Sequence, residues 1–186
     1  MERARVNSLE IRTLTDDAAA IAMLSDLLVE TVAAGGSVSF MHPLSPDAAR
    51  DFWRKSLAAA GRNERVVLGA WQEGMLVGTV TLLLDFPPNQ PHRAEIAKLM
   101  TRSTHRGKGI ATRLMQAAQR LAIEKGRTLL VLDTASEEGA SGLYEKLGFT
   151  LTGEIPYFAL KPHGGLTGTL IYWKRLGDSE AIERRS

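Results

Sequence analysis

The sequence contains no cysteine in its 186 residues. This absence excludes disulfide bonds, thiolate metal ligands and a cysteine nucleophile. Aromatic residues make up only 6% of the chain, and no apolar run approaches the roughly 18 residues that a membrane-spanning helix needs. The first six residues also lack the apolar segment of a signal peptide. We therefore expect a soluble, cytoplasmic protein without a membrane partner.

An excess of charge of one sign is also missing, because 23 basic and 21 acidic residues leave a formal charge of +2. Near-neutrality argues against a nucleic-acid partner, whereas the cluster of basic residues from Arg102 to Arg113 favours a small anionic ligand. The length suits one domain. We predict a single domain over residues 5–178, followed by a polar C-terminal tail over residues 179–186. Monomer and homodimer both stay open.

The spacing of apolar residues predicts an α+β fold. Alternating or continuous apolar runs predict strands at 9–14, 65–71, 75–84, 93–101, 128–134, 149–158 and 167–173. Helical periodicity predicts helices at 16–32, 46–60, from 110 onward, and at 138–147. This order favours α/β/α layers, in which a mixed, mostly antiparallel sheet of about seven strands carries helices on both faces.

A glycine-rich basic turn, Arg106-Gly107-Lys108-Gly109-Ile110-Ala111, joins the predicted strand 93–101 to an amphipathic helix. Backbone N–H groups and the helix dipole make such a turn a place to bind an anion. A P-loop would need glycine where Arg102 stands, and a dinucleotide fingerprint would need glycine where Thr112 stands. The remaining interpretation is the pyrophosphate-binding turn of a coenzyme A-dependent transferase.

This turn resembles the Arg/Gln-x-x-Gly-x-Gly/Ala signature of the GCN5-related N-acetyltransferase (GNAT) superfamily. Residues 143–149, LYEKLGF, resemble its second signature. Further segments, 35–41, 93–100, 132–134, 153–157 and 171–176, are similar to the tabtoxin-resistance acetyltransferases. Covering roughly residues 9–176, the resemblance implies the GNAT fold and acetyl-CoA as cosubstrate, with no metal. It also implies direct acetyl transfer to the amine of a small amino-acid-like molecule, such as a toxin or an antibiotic.

The same resemblance implies a cofactor site. The turn would bind the pyrophosphate through backbone amides, with charge from Arg106 and either Lys108 or Arg102, and the preceding strand would pair with pantetheine. Many family members have asparagine where Glu137 stands here, so Ser136 or Ser141 would have to replace that contact. The predicted cofactor-binding residues are Leu99, Met100, Thr101, Arg106, Gly107, Lys108, Gly109, Ile110, Ala111, Thr112, Ser136 and Ser141.

Three side chains are predicted to be catalytic. Tyr144 is the candidate general acid for the departing thiolate. Glu95 and Asp133 are alternative bases or ammonium-binding groups, because each interrupts an apolar strand. Simple alternation places Glu95 on the face of Ala97 and Leu99. In the competing structural interpretation, each carboxylate pairs with Arg93, Lys98 or His92.

His105 has base chemistry but lies in the cofactor loop, where we expect it to contact CoA or solvent. The acceptor is expected to enter beside residues 35–42 and 85–91, past an apolar rim of Phe40, Met41, Trp53 and Tyr157. Two other functions remain open: a non-catalytic acyl-CoA sensor, and an N-acetyltransferase that modifies a protein. The acceptor's identity is not predicted.

Overall fold

The computed structural model describes residues 8–137, 139 and 141–177. Seven strands form one sheet in the order β1-β2-β3-β4-β5-β7-β6. The strands are β1 (Glu10–Thr13), β2 (Arg65–Gln72), β3 (Met75–Leu83), β4 (Arg93–Thr101), β5 (Leu129–Ala135), β6 (Thr150–Leu160) and β7 (Leu166–Arg175). The helices are α1 (Ala18–Ala33), α2 (Pro46–Gly61), α3 (Ile110–Glu124) and α4 (Ser141–Lys146). The predicted tail, and residues 5–7 and 178 of the predicted domain, lie outside the described residues.

Polar caps fix where the first two helices begin. The Asp17 carboxylate accepts a hydrogen bond from the Ala20 N–H at 2.8 Å, so α1 begins two residues later than predicted. The Ser45 hydroxyl accepts one from the Ala48 N–H at 3.2 Å, and Pro46 occupies the first turn of α2, as the sequence indicates. The predicted fourth helix is shortened, because Gly139, with φ of 67°, cannot continue a right-handed helix.

All neighbouring strands are antiparallel except β4 and β5, which are parallel. Their register runs from Arg93 opposite Leu129 to Ile96 opposite Leu132, and no later pair follows among the described residues. Both strands nevertheless continue, β4 to Thr101 and β5 to Ala135. A gap therefore opens in the middle of the sheet, between the carboxyl ends of two strands.

Two apolar clusters cover the two faces of the sheet. One joins α3 and α4 to the inner strands, and its members include Leu114, Ala118, Leu132 and Tyr144. The other joins α1 and α2 to β2 and β3 through Leu28, Trp53, Val67 and others. The predicted layers, with helices on both faces of a mostly antiparallel sheet, are confirmed. Trp53 was expected at the acceptor rim, but it is 0% exposed and packs from α2 into the second cluster, so that prediction is wrong.

Candidate active site

The glycine-rich turn presents a row of unpaired backbone donors. Gly107 and Gly109 have φ of 74° and 75°, the left-handed region that glycine adopts without a steric penalty. Gly109 caps α3 but offers no side chain to bond the first turn. Within the described part of the chain, the N–H groups from Gly107 to Thr112 have no hydrogen-bond acceptor. The turn therefore has the donors that a pyrophosphate requires.

Arg102 does not belong to this set of donors. Its Nη1 lies 2.9 Å from Glu30 Oε2, and its Nε donates to the Leu76 carbonyl at 2.8 Å. Arg102 was the alternative to Lys108 as a phosphate ligand in the sequence-based prediction. In the structure it connects the end of β4 to α1 instead. Arg106 and Lys108 are the exposed cations that the turn itself supplies.

Glu30 fixes the beginning of the turn from the other side. Its Oε1 accepts hydrogen bonds from both the N–H and the hydroxyl of Ser103, each at 2.8 Å. Burial raises the pKa of Glu30, but the bonds from Ser103 and the charge of Arg102 outweigh it, so the net pKa is lowered. An ionised Glu30 thus holds the turn against α1.

A groove of about 420 Å³ runs from the turn along β4. It is bounded by the end of α1, the last residues of β4 and one side of α4. The predicted residues that line it are Leu99, Met100, Thr101, Arg106, Ala111 and Tyr144. The Thr101 hydroxyl is buried there without a hydrogen-bond partner among the described residues. An unsatisfied hydroxyl beside free N–H groups fits a ligand that carries both amides and phosphates.

The other predicted cofactor residues are placed differently. Ile110 directs its side chain into the core, so it can offer a ligand only its backbone N–H. Ser136 donates its N–H to the Gly168 carbonyl at 3.1 Å and is absent from the lining of the groove. The side chain of Ser141 lies outside the described residues. Glu137, at the usual asparagine position, pairs with Lys161 Nζ at 3.0 Å.

A β-bulge at Lys98 redirects the end of β4. Lys98 has φ of 53°, and the register jumps from Thr81 opposite Ala97 to Thr79 opposite Met100. Leu99 consequently packs on the α3 side, as Ile96 does, whereas Met100 joins the α1–α2 cluster. The prediction that Leu99 shares a face with Glu95 is therefore wrong, because simple alternation stops at the bulge.

A second cavity of about 110 Å³ occupies the gap between β4 and β5. It shares Ser37, Val38, Leu99, Thr134 and Tyr144 with the groove, so the two spaces adjoin. A third cavity of about 170 Å³ follows on the far side and adds Phe40 and residues of β6 and β7. The three spaces form one path, which we call the cleft, from the glycine-rich turn to the β6–β7 end of the sheet.

The two predicted carboxylates occupy unequal positions. Asp133 lines the second and third cavities and accepts a hydrogen bond from the Thr169 hydroxyl at 3.2 Å. Glu95 lines none of the three spaces, and its Oε2 lies 3.4 Å from Arg93 Nη1. Burial raises the pKa of Glu95, Arg93 opposes this, and the charge of Asp133 adds to it. The charge of Asp133 thus acts on Glu95, but Asp133 is the carboxylate that lines the cleft.

Tyr144 combines a core position with a cleft position. The residue is 6% exposed, and its ring lies 5.6 Å from that of Tyr172 and 6.2 Å from that of Phe149. It also lines both the groove and the second cavity. The packed ring can therefore present its phenol edge where the groove meets the cavity.

Lys98 is the residue of the cleft that sequence reasoning missed, except as an ion-pair partner for Glu95. It lines the second cavity, and its Nζ donates to the Ser39 hydroxyl at 3.0 Å. Burial lowers the pKa of Lys98, Asp133 opposes this and Arg65 adds to it. A lysine between apolar strand residues was the available signal, although nothing local indicated the bulge that turns it inward.

The remaining predicted positions lie at the edges. The His105 Nδ1 and the Thr104 hydroxyl are 2.8 Å apart, beside the turn. Phe40 lines the third cavity, whereas Met41 and Tyr157 are exposed, Tyr157 to 78%. Among the residues that the structure describes, no three potential metal ligands come together, and no helix is long and apolar enough to cross a bilayer.

The free N–H groups at the start of α3 open into a strand-lined cleft that contains a tyrosine and a carboxylate. This arrangement is compatible with a cofactor-dependent transferase. The sequence model of the acetyltransferase (GNAT) family matches residues 31–149, more than half of the chain. The protein therefore belongs to the GNAT acetyltransferase family, and that part of the predicted resemblance is confirmed. The closer resemblance to tabtoxin-resistance enzymes stays a prediction.

Individual relatives agree with this assignment. N-acetyltransferase 8B of Homo sapiens is 38% identical over 87 residues, which are 46% of this chain and 38% of that protein. The chain thus matches less than half the length of this curated relative.

Solved structures share the fold over nearly the whole chain. The ribosomal-protein-alanine N-acetyltransferase of Brucella melitensis superposes with a TM-score of 0.78 at 23% identity, covering 90% of this chain and 99% of that one. The structure of yncA from Salmonella typhimurium with acetyl-CoA gives 0.73 at 20% identity, with coverages of 92% and 96%.

Proposed function

We propose that this protein transfers the acetyl group of acetyl-CoA directly to the amine of a small amino-acid-like molecule, in the manner of the tabtoxin-resistance acetyltransferases. The observation that carries the proposal is the continuous cleft. It joins the glycine-rich turn to a small cavity lined by Asp133 and Tyr144. A cofactor with its phosphates at the turn would have its other end at these two side chains.

Binding of the cofactor is assigned to the turn and to the end of β4. The free N–H groups from Gly107 to Thr112 would neutralise the pyrophosphate, with charge-assisted contacts from Arg106 and Lys108. Leu99, Met100 and Thr101 would pair with the amides of pantetheine as an added strand. This is possible because β4 has no neighbour on that side after Ile96 among the described residues.

The acetyl thioester supplies an activated carbonyl carbon to the amine. The ammonium would first lose one proton to give the neutral amine. In the transfer a C–N bond then forms, the C–S bond breaks, the nitrogen loses a second proton and the sulfur gains one. Tyr144 would protonate the sulfur; its position where the groove meets the second cavity supports this role. Asp133 would hold the incoming ammonium and accept its first proton, directly or through water.

Glu95 has a supporting role in this proposal. It stands on the same sheet face as Asp133, because its parallel partner Val131 is two residues from Asp133. Glu95 pairs with Arg93 and does not line the cleft, so we assign binding of the acceptor's ammonium to Asp133. Burial raises the pKa of Glu95 and the charge of Asp133 adds to this, so Glu95 lies within electrostatic reach of the group assigned to the acceptor.

The acceptor side of the cleft is small and bridged. The His42 N–H donates to the Pro162 carbonyl at 2.9 Å, and His163 Nε2 lies 3.0 Å from the Ala33 carbonyl. The segment 35–42 is thereby connected to the β6–β7 turn, beside cavities of about 110 and 170 Å³. Such a space favours a small molecule over the extended protein segment that a protein acetyltransferase would accept.

Two measurements test the function. Calorimetry with acetyl-CoA is expected to detect binding, and incubation with a panel of amino-acid-like amines is expected to release free CoA thiol. Binding without turnover, unaffected by Tyr144→Phe, would instead support the alternative of a non-catalytic acyl-CoA sensor. Turnover only with peptides or proteins would favour the protein N-acetyltransferase alternative, and no binding at all would reject the proposal.

A further inference from the structure

Lys98 lines the cleft as a cation that makes no direct ion pair with a carboxylate among the described residues. Its Nζ donates to the Ser39 hydroxyl and lies 5.7 Å from the centre of the Phe52 ring and 6.0 Å from that of Phe40. Among the described residues, no carboxylate lies within 4.0 Å of Nζ, whereas eight other cationic side chains have such a partner. A partly buried ammonium of this kind is ready to pair with an anion that enters the cavity.

The backbone holds this ammonium in place at a conformational cost. Lys98 and Ser39, the two residues that form the hydrogen bond, both have left-handed backbones, with φ of 53° and 72°. Neither is glycine, so each conformation is unfavourable in isolation and persists only where the surroundings require it. The bulge at Lys98 directs the side chain toward residues 39 and 40 and toward the cavity that Ser39 also lines.

Asp133 lines the same cavity from the opposite strand. β4 supplies the positive group and β5 the negative one, on the two sides of a space of about 110 Å³. Burial lowers the pKa of Lys98 and the charge of Asp133 opposes this, so the two groups are within electrostatic reach, although they form no direct ion pair within 4.0 Å among the described residues. Two opposite charges separated across one small cavity are complementary to a zwitterion.

We propose that Lys98 binds the carboxylate of the acceptor while Asp133 receives its ammonium, so that the enzyme selects molecules with the zwitterionic head of an α-amino acid. The inference rests on the proposed function, because it names the substrate class for that reaction. Lys98 is then a specificity-determining residue: its ammonium places the acceptor nitrogen between Asp133 and Tyr144.

Paired acceptors provide the test. The twenty common L-amino acids and their carboxamides are compared by CoA release with the wild-type protein, Lys98→Gln and Lys98→Arg. For the amino acids that are the best substrates, the wild type is expected to show a kcat/KM about 10- to 100-fold higher than for their carboxamides. Lys98→Gln should reduce this ratio to near one by lowering kcat/KM for the amino acids but not for the carboxamides. Lys98→Arg should restore part of the ratio. Lys55→Gln, which removes an exposed cation of α2, is the control for a lost positive charge.

Each outcome decides. Equal losses for acids and amides in Lys98→Gln would make Lys98 a structural residue and overturn the inference, as would a wild type that prefers amides. Should no amine be acetylated, Lys98 is labelled with acetyl-N-hydroxysuccinimide and quantified by mass spectrometry in the presence of acetyl-CoA. Protection by amino acids but not by their amides supports carboxylate binding, and no protection refutes it. Failure of acetyl-CoA to bind by calorimetry identifies instead a failure of the proposed function.

Discussion

Ile96 and Leu99 contact the same apolar cluster, although they stand three residues apart on one strand. In a regular strand an odd separation directs two side chains to opposite faces. Lys98 changes this alternation through its φ of 53°, and Met100 consequently points to the α1–α2 side. The same bulge opens the end of β4 to a ligand and turns Lys98 toward the cleft, so one backbone angle affects both halves of the site.

A glycine with a left-handed backbone lies at each end of α3. Substituting each in turn separates the effect of the glycine-rich turn on binding from the effect of backbone strain on stability. Gly109 and Gly126 have φ of 75° and 70°, and an added Cβ would meet no atom within 4 Å at either position. Valine at either site should reduce the free energy of unfolding by about 1–2 kcal/mol. Gly109→Val should in addition weaken acetyl-CoA binding about tenfold or more, since lost charge-assisted hydrogen bonds are worth about 1.5–3 kcal/mol each. Calorimetry on both variants checks this, and equal affinities would contradict the phosphate role of the turn.

Deleting the hydroxyl of Tyr144 should affect chemistry more than binding. General acid catalysis contributes about 10²- to 10⁴-fold, so Tyr144→Phe is expected to lower kcat by about 10²-fold or more. The dissociation constant for acetyl-CoA should change little, because the ring still packs against Tyr172 and Phe149. Tyr172→Phe, in the same cluster but outside the cleft lining, is the matched control. A parallel loss of affinity and turnover in Tyr144→Phe would contradict the role of general acid.

The positions of the carboxylates predict unequal effects on catalysis. Asp133→Asn should lower kcat/KM by about 10²-fold, as expected for loss of a base or ammonium-binding group. Glu95→Gln should lower it by less than about tenfold, since Glu95 lies beside Arg93 and outside the cleft lining. Steady-state kinetics with one accepted amine compares the two variants. A larger loss of kcat/KM in Glu95→Gln than in Asp133→Asn would assign the proton-accepting role to Glu95.

Local sequence signals predicted much of this molecule. The bounds of β4 were predicted at both ends, because the basic loop ends the alternation after Thr101. The Ser45–Pro46 start of α2 and the glycine-rich turn also follow from short-range chemistry. The family followed from two short signatures together with the order of the elements.

The errors concern contacts between residues that are distant in sequence. Arg102 has the charge that phosphate binding needs, but its guanidinium pairs with Glu30, 72 residues earlier in the sequence. A left-handed lysine has no sequence signal comparable to glycine, so the bulge at Lys98, and with it the face of Leu99, could not be predicted from alternation. Trp53 was assigned to the rim because an amphipathic pattern does not indicate which face another helix will cover.

Glu30 should make stability depend on pH in the acidic range. Its pKa is lowered in the fold, so its contribution is fully present above the usual value of 4.5 and is lost as the pH falls through the folded pKa. Glu30→Gln is expected to cost about 1–2 kcal/mol at pH 7, from weakened bonds to Ser103 and Arg102. The difference from wild type should shrink at acidic pH. Urea denaturation between pH 3 and pH 7, values chosen to bracket the ordinary carboxyl pKa, measures it.

Glu95 should give the opposite dependence in the same experiment. Its pKa is raised in the fold, so its contribution is present below 4.5 and is lost as the pH rises through the folded pKa. Glu95→Gln removes this loss and should therefore gain stability relative to wild type as the pH rises toward neutrality. Each variant serves as the control for the other. Differences with the same sign for both variants would show that Glu95 is held mainly by Arg93 rather than destabilised by burial.

Gly78 allows the start of α3, and with it the glycine-rich turn, to lie close to the sheet. An added Cβ would lie 2.9 Å from the Met100 carbonyl oxygen and 3.0 Å from Ile110 Cγ2, the latter on the first residue of α3. Gly78→Ala is therefore expected to cost about 1–3 kcal/mol of stability and to weaken acetyl-CoA binding by displacing the helix N-terminus. Gly61→Ala, where no atom lies within 4 Å, should be neutral or slightly stabilising and should leave binding unchanged. Thermal unfolding and calorimetry on both variants test this; a Gly78→Ala protein with wild-type affinity would show that the turn is positioned independently of the contact between β3 and α3.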